Sequence, residues 1–575
     1  MKKYNIIFLM ASALVGGWFA YGFTQNKTKK GNQFTTVFCV PVTTDPEWYN
    51  SEKIAPLFVG LDVLDFPVST DNPSAQKYFN QGLVLAYAFN HAEAARSFYY
   101  ASKLDPEFAM AWWGFANVLG PNYNAGMAED NYRRAYDAVQ KAVELSDNCS
   151  EKEKILIRAM AERYSQNPPN DRKSLDIAYS NAMKSAFKAF PNDADVGALY
   201  AESMLDLHPW DLYDKKGYPK ECTPEIISVI EQVLEIDPKH PGVHHFYIHI
   251  IETSGEPEKG LNSARMFDEG LVPGAGHLVH MAAHIYIKTG DYHKATLANI
   301  RAIEVDSSYI TSCSLQGAYP MNYIPHNFNF MSVTATLEGN YEWGIKAANK
   351  ISEDIFLLLK DYPLSGNFQY YYTIPYFVNV KFGKWEEILQ MKNNVNSLIF
   401  PEAIRAYARG MAFLGKNEIA NAKKELLKLE NYLNEPSLKE IKVFNVNSLS
   451  SLTVLSHKIL KAEILASESD YEESIKLLRE AVILRNELTF REPPSFYFSV
   501  RHNLGAVQVE AGKYTDALET FEEDLLEFPK NGWALHGMKL AYSNLNNTER
   551  ALEIEKSLKD SWATADIELT NARLK

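Results

Sequence analysis

The feature that most restricts the fold of this chain is an internal period. From Gly505 through Gly512, Tyr514, Ala517 and Phe521 to Pro529, a small residue, a glycine turn, a tyrosine, an alanine, an aromatic residue and a proline succeed one another. Their spacing suits two short helices and a connection. The order recurs near the start, at Gly82, Ala94, Phe98, Ala101 and Pro106, and near the end, at Tyr542, Asn546 and Ala551. Small residues let two helices approach, larger apolar residues fill the space between them, and a proline cannot continue a helix. Each period therefore reads as a helical hairpin. Turn residues with helical periodicity on both sides stand at Gly255, Gly290, Gly339, Gly383, Gly415, Ser469, Gly512 and Asn546.

These residues resemble the tetratricopeptide (TPR) repeat, and the resemblance runs from Asn72 to Trp562. It implies an all-α fold: an α-solenoid of about ten TPR-like hairpins forming a right-handed superhelix with a concave groove. On that frame residues 71–575 are the solenoid, with irregular spacing from Gly120 to Asn192 and from Phe356 to Gln369, and residues 24–70 are a linker or irregular cap. Each hairpin is expected to bury its apolar face against its neighbours alone. The family's usual role is binding, so a protein, peptide or small ligand in the groove is the partner the resemblance implies. The family's carboxylate-clamp pattern is absent, and a chaperone-tail adaptor role has no support.

Ten of the 14 histidines lie between His208 and His326, where an even spread would place roughly three. Around a helix, His245, His249 and Glu252 span roughly 60° of arc, and so do His277, His280 and His284, so each trio forms one stripe. Ile248, Ile251, Val279, Ala282, Ala283 and Tyr286 fall on other stripes. By the resemblance, both histidine stripes, together with His326 and Asn329 of the next repeat, take the groove-lining positions, and so do Trp113 and Asn117 near the start. His244 takes a packing position.

Two such helices in successive repeats lie about 8–10 Å apart, close enough for their imidazoles to reach one point. His245, His249, His280 and His284, with Glu252 as ligand or base, are expected to form one mixed nitrogen and oxygen site around 241–330, extended by His277 and His326. Such a donor set takes zinc, copper, iron or manganese. Neutral imidazoles can also cluster without a metal, so a structural histidine face stays open as an alternative. His502 and His536 are expected to sit apart from the cluster. Arg491, Glu492, Pro493 and Pro494 are read as a break between repeats, and Leu207 to Asp211 as a helix end that caps the groove or packs its Trp210.

The net charge of -14 argues against a nucleic-acid partner, since such binding rests on Lys and Arg neutralising phosphates. Lys2 and Lys3 precede an apolar stretch from Ile6 to Phe23, so residues 1–23 are expected to be a signal peptide or an N-terminal membrane anchor, which makes the protein exported: periplasmic, or membrane-anchored and facing outside the cytoplasm. Four cysteines without a close pair give no thiolate zinc site. A serine-nucleophile elbow, a phosphate-binding loop and a dinucleotide fingerprint are missing. The segment Val272–His277, with two glycines before a helix, is a repeat junction that also has the form of an anion site at a helix N-terminus. Two functions follow: an exported groove-binding scaffold whose histidines hold a transition metal, or a metalloenzyme, hydrolase or oxidoreductase, with Glu252 as its base.

Overall fold

In the computed structural model, residues 46–214, 217–312, 323–392, 394–395, 397–489 and 491–574 are described. The segment 1–23 lies outside them, as do Cys39 and Cys313. From Pro73 onward the described residues form a helical solenoid in which successive helices pack as antiparallel pairs, such as Pro73–Tyr87 with His91–Leu104 and Gly276–Thr289 with Tyr292–Ser312. The strands among the described residues are one short antiparallel pair, Lys442–Val443 with Asn447–Ser448. No helix among them is long and apolar enough to cross a membrane.

The turns follow the sequence pattern closely. Gly290, Gly339, Gly383, Ser469, Gly512 and Asn546 all adopt positive φ, between 57° and 80°, which ends one helix and redirects the chain. At the predicted Gly415 turn the left-handed residue is Asn417, while Gly415 closes the helix Ile399–Gly415 because the Trp385 indole occupies the space a Cβ would need.

Residues 50–72 carry no helix, yet Ala55, Leu61 and Phe66 are buried. The Tyr78 hydroxyl donates to Ala55 O at 2.8 Å, and Gly274 N donates to Gly60 O at 3.2 Å. This segment is a packed strap tying the first hairpin to the junction before Gly276.

Contacts also cross the stack, beyond the neighbour-only burial the repeat implies. The Tyr292 hydroxyl donates to Pro529 O at 2.7 Å, Trp533 Nε1 to Thr336 O at 3.0 Å, and Asp566 N to Gly339 O at 3.2 Å. The last hairpins thus cover the central ones, and the buried aromatic side chains Tyr497 and Trp533 seal the contact.

Candidate metal centre

The helix Pro241–Ile251 starts at His240, whose Nδ1 accepts from Val243 N at 3.3 Å, with Pro241 in the first turn, where its missing N–H costs nothing. Every residue of this helix is buried, and in Gly276–Thr289 every residue but Lys288 is. A helix enclosed all round belongs to an interior. The expectation that the histidine stripes line an open groove is therefore corrected: the stripes are turned away from the aliphatic packing face, but other elements cover them. His245, His249, His277, His280 and His284 are at most 2 % exposed, and only His326, on the helix Ile324–Leu337, is partly exposed.

Part of that cover is the end of Pro73–Tyr87. A Cβ on Gly242 would stand 2.6 Å from the Tyr87 ring, so glycine there permits the close approach. The approach puts Tyr87 O 2.6 Å from His245 Nδ1, across 158 residues of chain.

The imidazoles gather in two trios instead of one site. Ligand atoms of His245, His249 and His277 lie within 4.8 Å of one another, and those of His280, His284 and His326 likewise. In the second trio His280 Nε2 is 2.9 Å from His284 Nε2 and 3.0 Å from His326 Nε2. Nitrogens around a tetrahedral ion bound at 2.0–2.1 Å stand about 3.3 Å apart.

Hydrogen bonds fix which nitrogens carry protons. Asn299 Nδ2 donates to Ala295 O at 2.8 Å, so its Oδ1, 2.7 Å from His280 Nδ1, is an acceptor. His284 Nδ1 meets Glu252 Oε2 at 2.5 Å, and His249 Nδ1 meets Glu252 Oε1 at 2.8 Å. Tyr87 O is the acceptor for His245. All four Nδ1 atoms are donors, so in the neutral rings all four Nε2 atoms present lone pairs. Those of His280 and His284 face each other at 2.9 Å. Those of His245 and His249 have no hydrogen-bond partner among the described residues.

Burial, then neighbouring imidazoles, hold His245, His277 and His280 well below the usual histidine range. Burial also pushes His326 down to about 3 and lowers His249 despite Glu252 beside it. Burial acts to raise Glu252, but the His284 and His249 imidazoles more than offset it and hold the carboxyl below its ordinary value. One carboxylate held below its ordinary value among buried imidazoles is the electrostatic character of the centre. Both oxygens of Glu252, expected as ligand or base, accept from imidazole N–H groups, so the carboxylate holds the orientation of the His249 and His284 rings.

Each trio has an aromatic wall. Phe89 lies 4.5, 6.0 and 5.9 Å from the His245, His249 and His277 rings, and Phe330 lies 4.9, 4.9 and 5.6 Å from those of His280, His284 and His326. Phe89 holds φ of 54°, an uncommon conformation for a bulky residue, and so delivers its ring there. Tyr123 and Trp210 stack at 5.3 Å and both lie against His249. Beside them a cavity of about 810 Å³ is lined in part by Tyr123, Trp210, Glu252, Lys288, Arg491 and Leu526. The 491–494 segment is more than a break between repeats: Arg491 sits over Trp210 at 5.2 Å and Glu492 pairs with Lys288 at 2.8 Å.

Other expected site residues fall elsewhere. Trp113 is fully enclosed, its Nε1 donating to Leu156 O at 3.2 Å, and Asn117 Oδ1 accepts from Arg163 at 2.9 Å; both are core residues, not groove residues. Asn329 is buried one turn from His326, and neither amide atom has a hydrogen-bond partner among the described residues. His244 packs in the core, bonded to Ser263 and Pro238 O. His502 belongs to a separate network with Asp524 and Lys381. The place expected for an anion before His277 holds the chain's own Asp306 carboxylate.

Sequence reasoning missed Asn299, Phe89, Phe330 and the Tyr87 carbonyl. Asn299 had a signal, an amide among Ala295, Ala298 and Ala302 on one helix face. The others had none.

No family model matches this chain, and neither does any curated protein. Solved structures resemble it only distantly. The human IFIT1 dimer with m7Gppp-AAAA shares 12 % identity over 86 % of this chain and 91 % of its own, with a TM-score of 0.29. The APC/C hetero-tetramer Cut9-Hcn1 shares 13 % over 88 % and 77 %, with 0.26, and the P58(IPK) TPR domain 13 % over 83 % and 99 %, with 0.21. At such scores the chemistry must be read from this chain's own side chains.

Proposed function

We propose that this protein is a helical-repeat scaffold built around a buried transition-metal centre. The observation that carries the reading is the pair of Nε2 lone pairs on His280 and His284, 2.9 Å apart, whose protons are committed at Nδ1 to Asn299 and Glu252. Two such acceptors repel unless a proton or a metal cation stands between them, and burial holds the His280 imidazole well below the usual histidine range, which disfavours the proton on that ring. Outer partners on the far nitrogen are the usual support of metal-binding histidines. Imidazole donors suit zinc, copper or iron, whereas manganese prefers oxygen. Residues 1–23, read as an export signal or anchor, would put this centre outside the cytoplasm.

Elemental analysis of tag-free protein, with chelator-buffered metal titration, tests the reading. Wild type is expected to hold stoichiometric zinc, copper or iron and a His280→Ala/His284→Ala variant to hold less; wild type that neither carries nor tightly takes up a metal sinks it.

A metalloenzyme is the second reading, favoured by the 810 Å³ cavity that reaches Glu252 beneath the Tyr123 and Trp210 rings. Three nitrogens per trio leave an ion an open position, the arrangement of catalytic zinc. Turnover that vanishes with chelator and with Trp210→Ala while the metal stays bound in Trp210→Ala would support it; ligand binding in the cavity without turnover returns the protein to a scaffold.

A further inference from the structure

We infer that the centre holds two ions, one in each histidine trio, tied together by the Glu252 carboxylate. The inference rests on the metal-binding reading above and adds a second site and its coupling to the first.

The two trios are built alike. In each, imidazoles from two helices bring ligand atoms within 4.8 Å, and two rings are anchored through Nδ1 so that Nε2 faces inward. The anchors are Tyr87 O and Glu252 Oε1 for His245 and His249, and Asn299 Oδ1 and Glu252 Oε2 for His280 and His284. Each trio also has one phenylalanine across its rings, Phe89 or Phe330. A merely structural cluster needs neither a strained Phe89 backbone nor buried Nε2 atoms left without partners, as those of His245 and His249 are.

The trios are neighbours. His249 and His284 rings are 5.8 Å apart, and His277 and His280, one turn apart on the same helix, are 6.0 Å apart. Two cations this close repel, and the one carboxylate that touches both trios is placed to offset that repulsion. Glu252 gives one oxygen to each trio, so an ion bound in either draws on the same negative charge and tightens the same hinge of ligands. Loss of one ion therefore loosens the other.

The test is stoichiometry on the full, tag-free chain, loaded with zinc, passed through gel filtration and measured by elemental analysis. Wild type is expected to retain two zinc ions per chain. His245→Gln/His277→Gln is expected to retain one, bound several-fold more weakly than in wild type, and His280→Gln/His326→Gln likewise. Circular dichroism identifies any variant that fails to fold, and the wild-type count decides the matter without variants. One ion in wild type, lost only with the second pair, overturns the second site and leaves the metal reading standing. One ion lost with either pair shows a single shared site and also overturns the inference. Wild type that retains no zinc overturns the inference, and wild type that takes up no zinc, copper or iron removes the metal reading as well.

Discussion

Glu252 and His284, 32 residues apart in the chain, meet in the interior with Oε2 2.5 Å from Nδ1, while the other Glu252 oxygen accepts from His249 at 2.8 Å. One side chain at the end of the Pro241–Ile251 helix thus sets the ring orientation of a histidine in each trio.

Glu252→Gln tests that arrangement. An amide has one acceptor atom, so it can orient one of the two imidazoles and must turn an N–H toward the other. Metal affinity is expected to fall by roughly 10- to 100-fold, the usual cost of losing such a partner. Competition with a chelator of known affinity measures it, and an unchanged dissociation constant would refute the positioning role.

Gly242→Ala is expected to destabilise the fold. Its methyl group would press on the Tyr87 ring from 2.6 Å, and overpacking of this kind costs about 1–3 kcal/mol. Because Tyr87 O anchors His245, the same change should weaken the first trio more than the second. Urea denaturation reads the first effect and the zinc count of the variant reads the second.

His91 governs part of the acid sensitivity. Burial, with Arg163 nearby, pushes it from 6.5 down to about 3. Between those values the unfolded chain binds a proton the folded one refuses, so stability is full above about 6.5 and is lost as pH falls through the window. The slope is about 1.4 kcal/mol per pH unit. Comparing urea unfolding at pH 6.5 and 4.5, His91→Gln should lose about 2 kcal/mol less than wild type; equal losses would contradict the assignment.

Metal is expected to stabilise the native state. An ion at a hundredfold excess over its dissociation constant adds about 2.7 kcal/mol for a single site. Zinc should therefore raise the melting temperature of chelator-stripped wild type by clearly more than that of His280→Ala/His284→Ala, which keeps only the first trio. Equal shifts in both would place the binding elsewhere.

The turn at Gly290 and the stripes His245/His249/Glu252 and His277/His280/His284 were legible in the sequence, because a helix period and a left-handed turn residue are properties of a few consecutive positions. That those stripes are roofed over was not. Tyr87, Phe89, Asn299 and Trp210 reach the histidines through contacts that span 19 to 158 residues where they are hydrogen-bonded, and nothing in local periodicity encodes which distant surfaces meet. The same reason explains Trp113, which has a groove position by repeat register but a core position in space. The sequence by itself determined the helices and the sides on which their histidines stand. Only the tertiary structure decided that those sides close into two buried trios around one carboxylate, since enclosure depends on packing among remote parts of the chain.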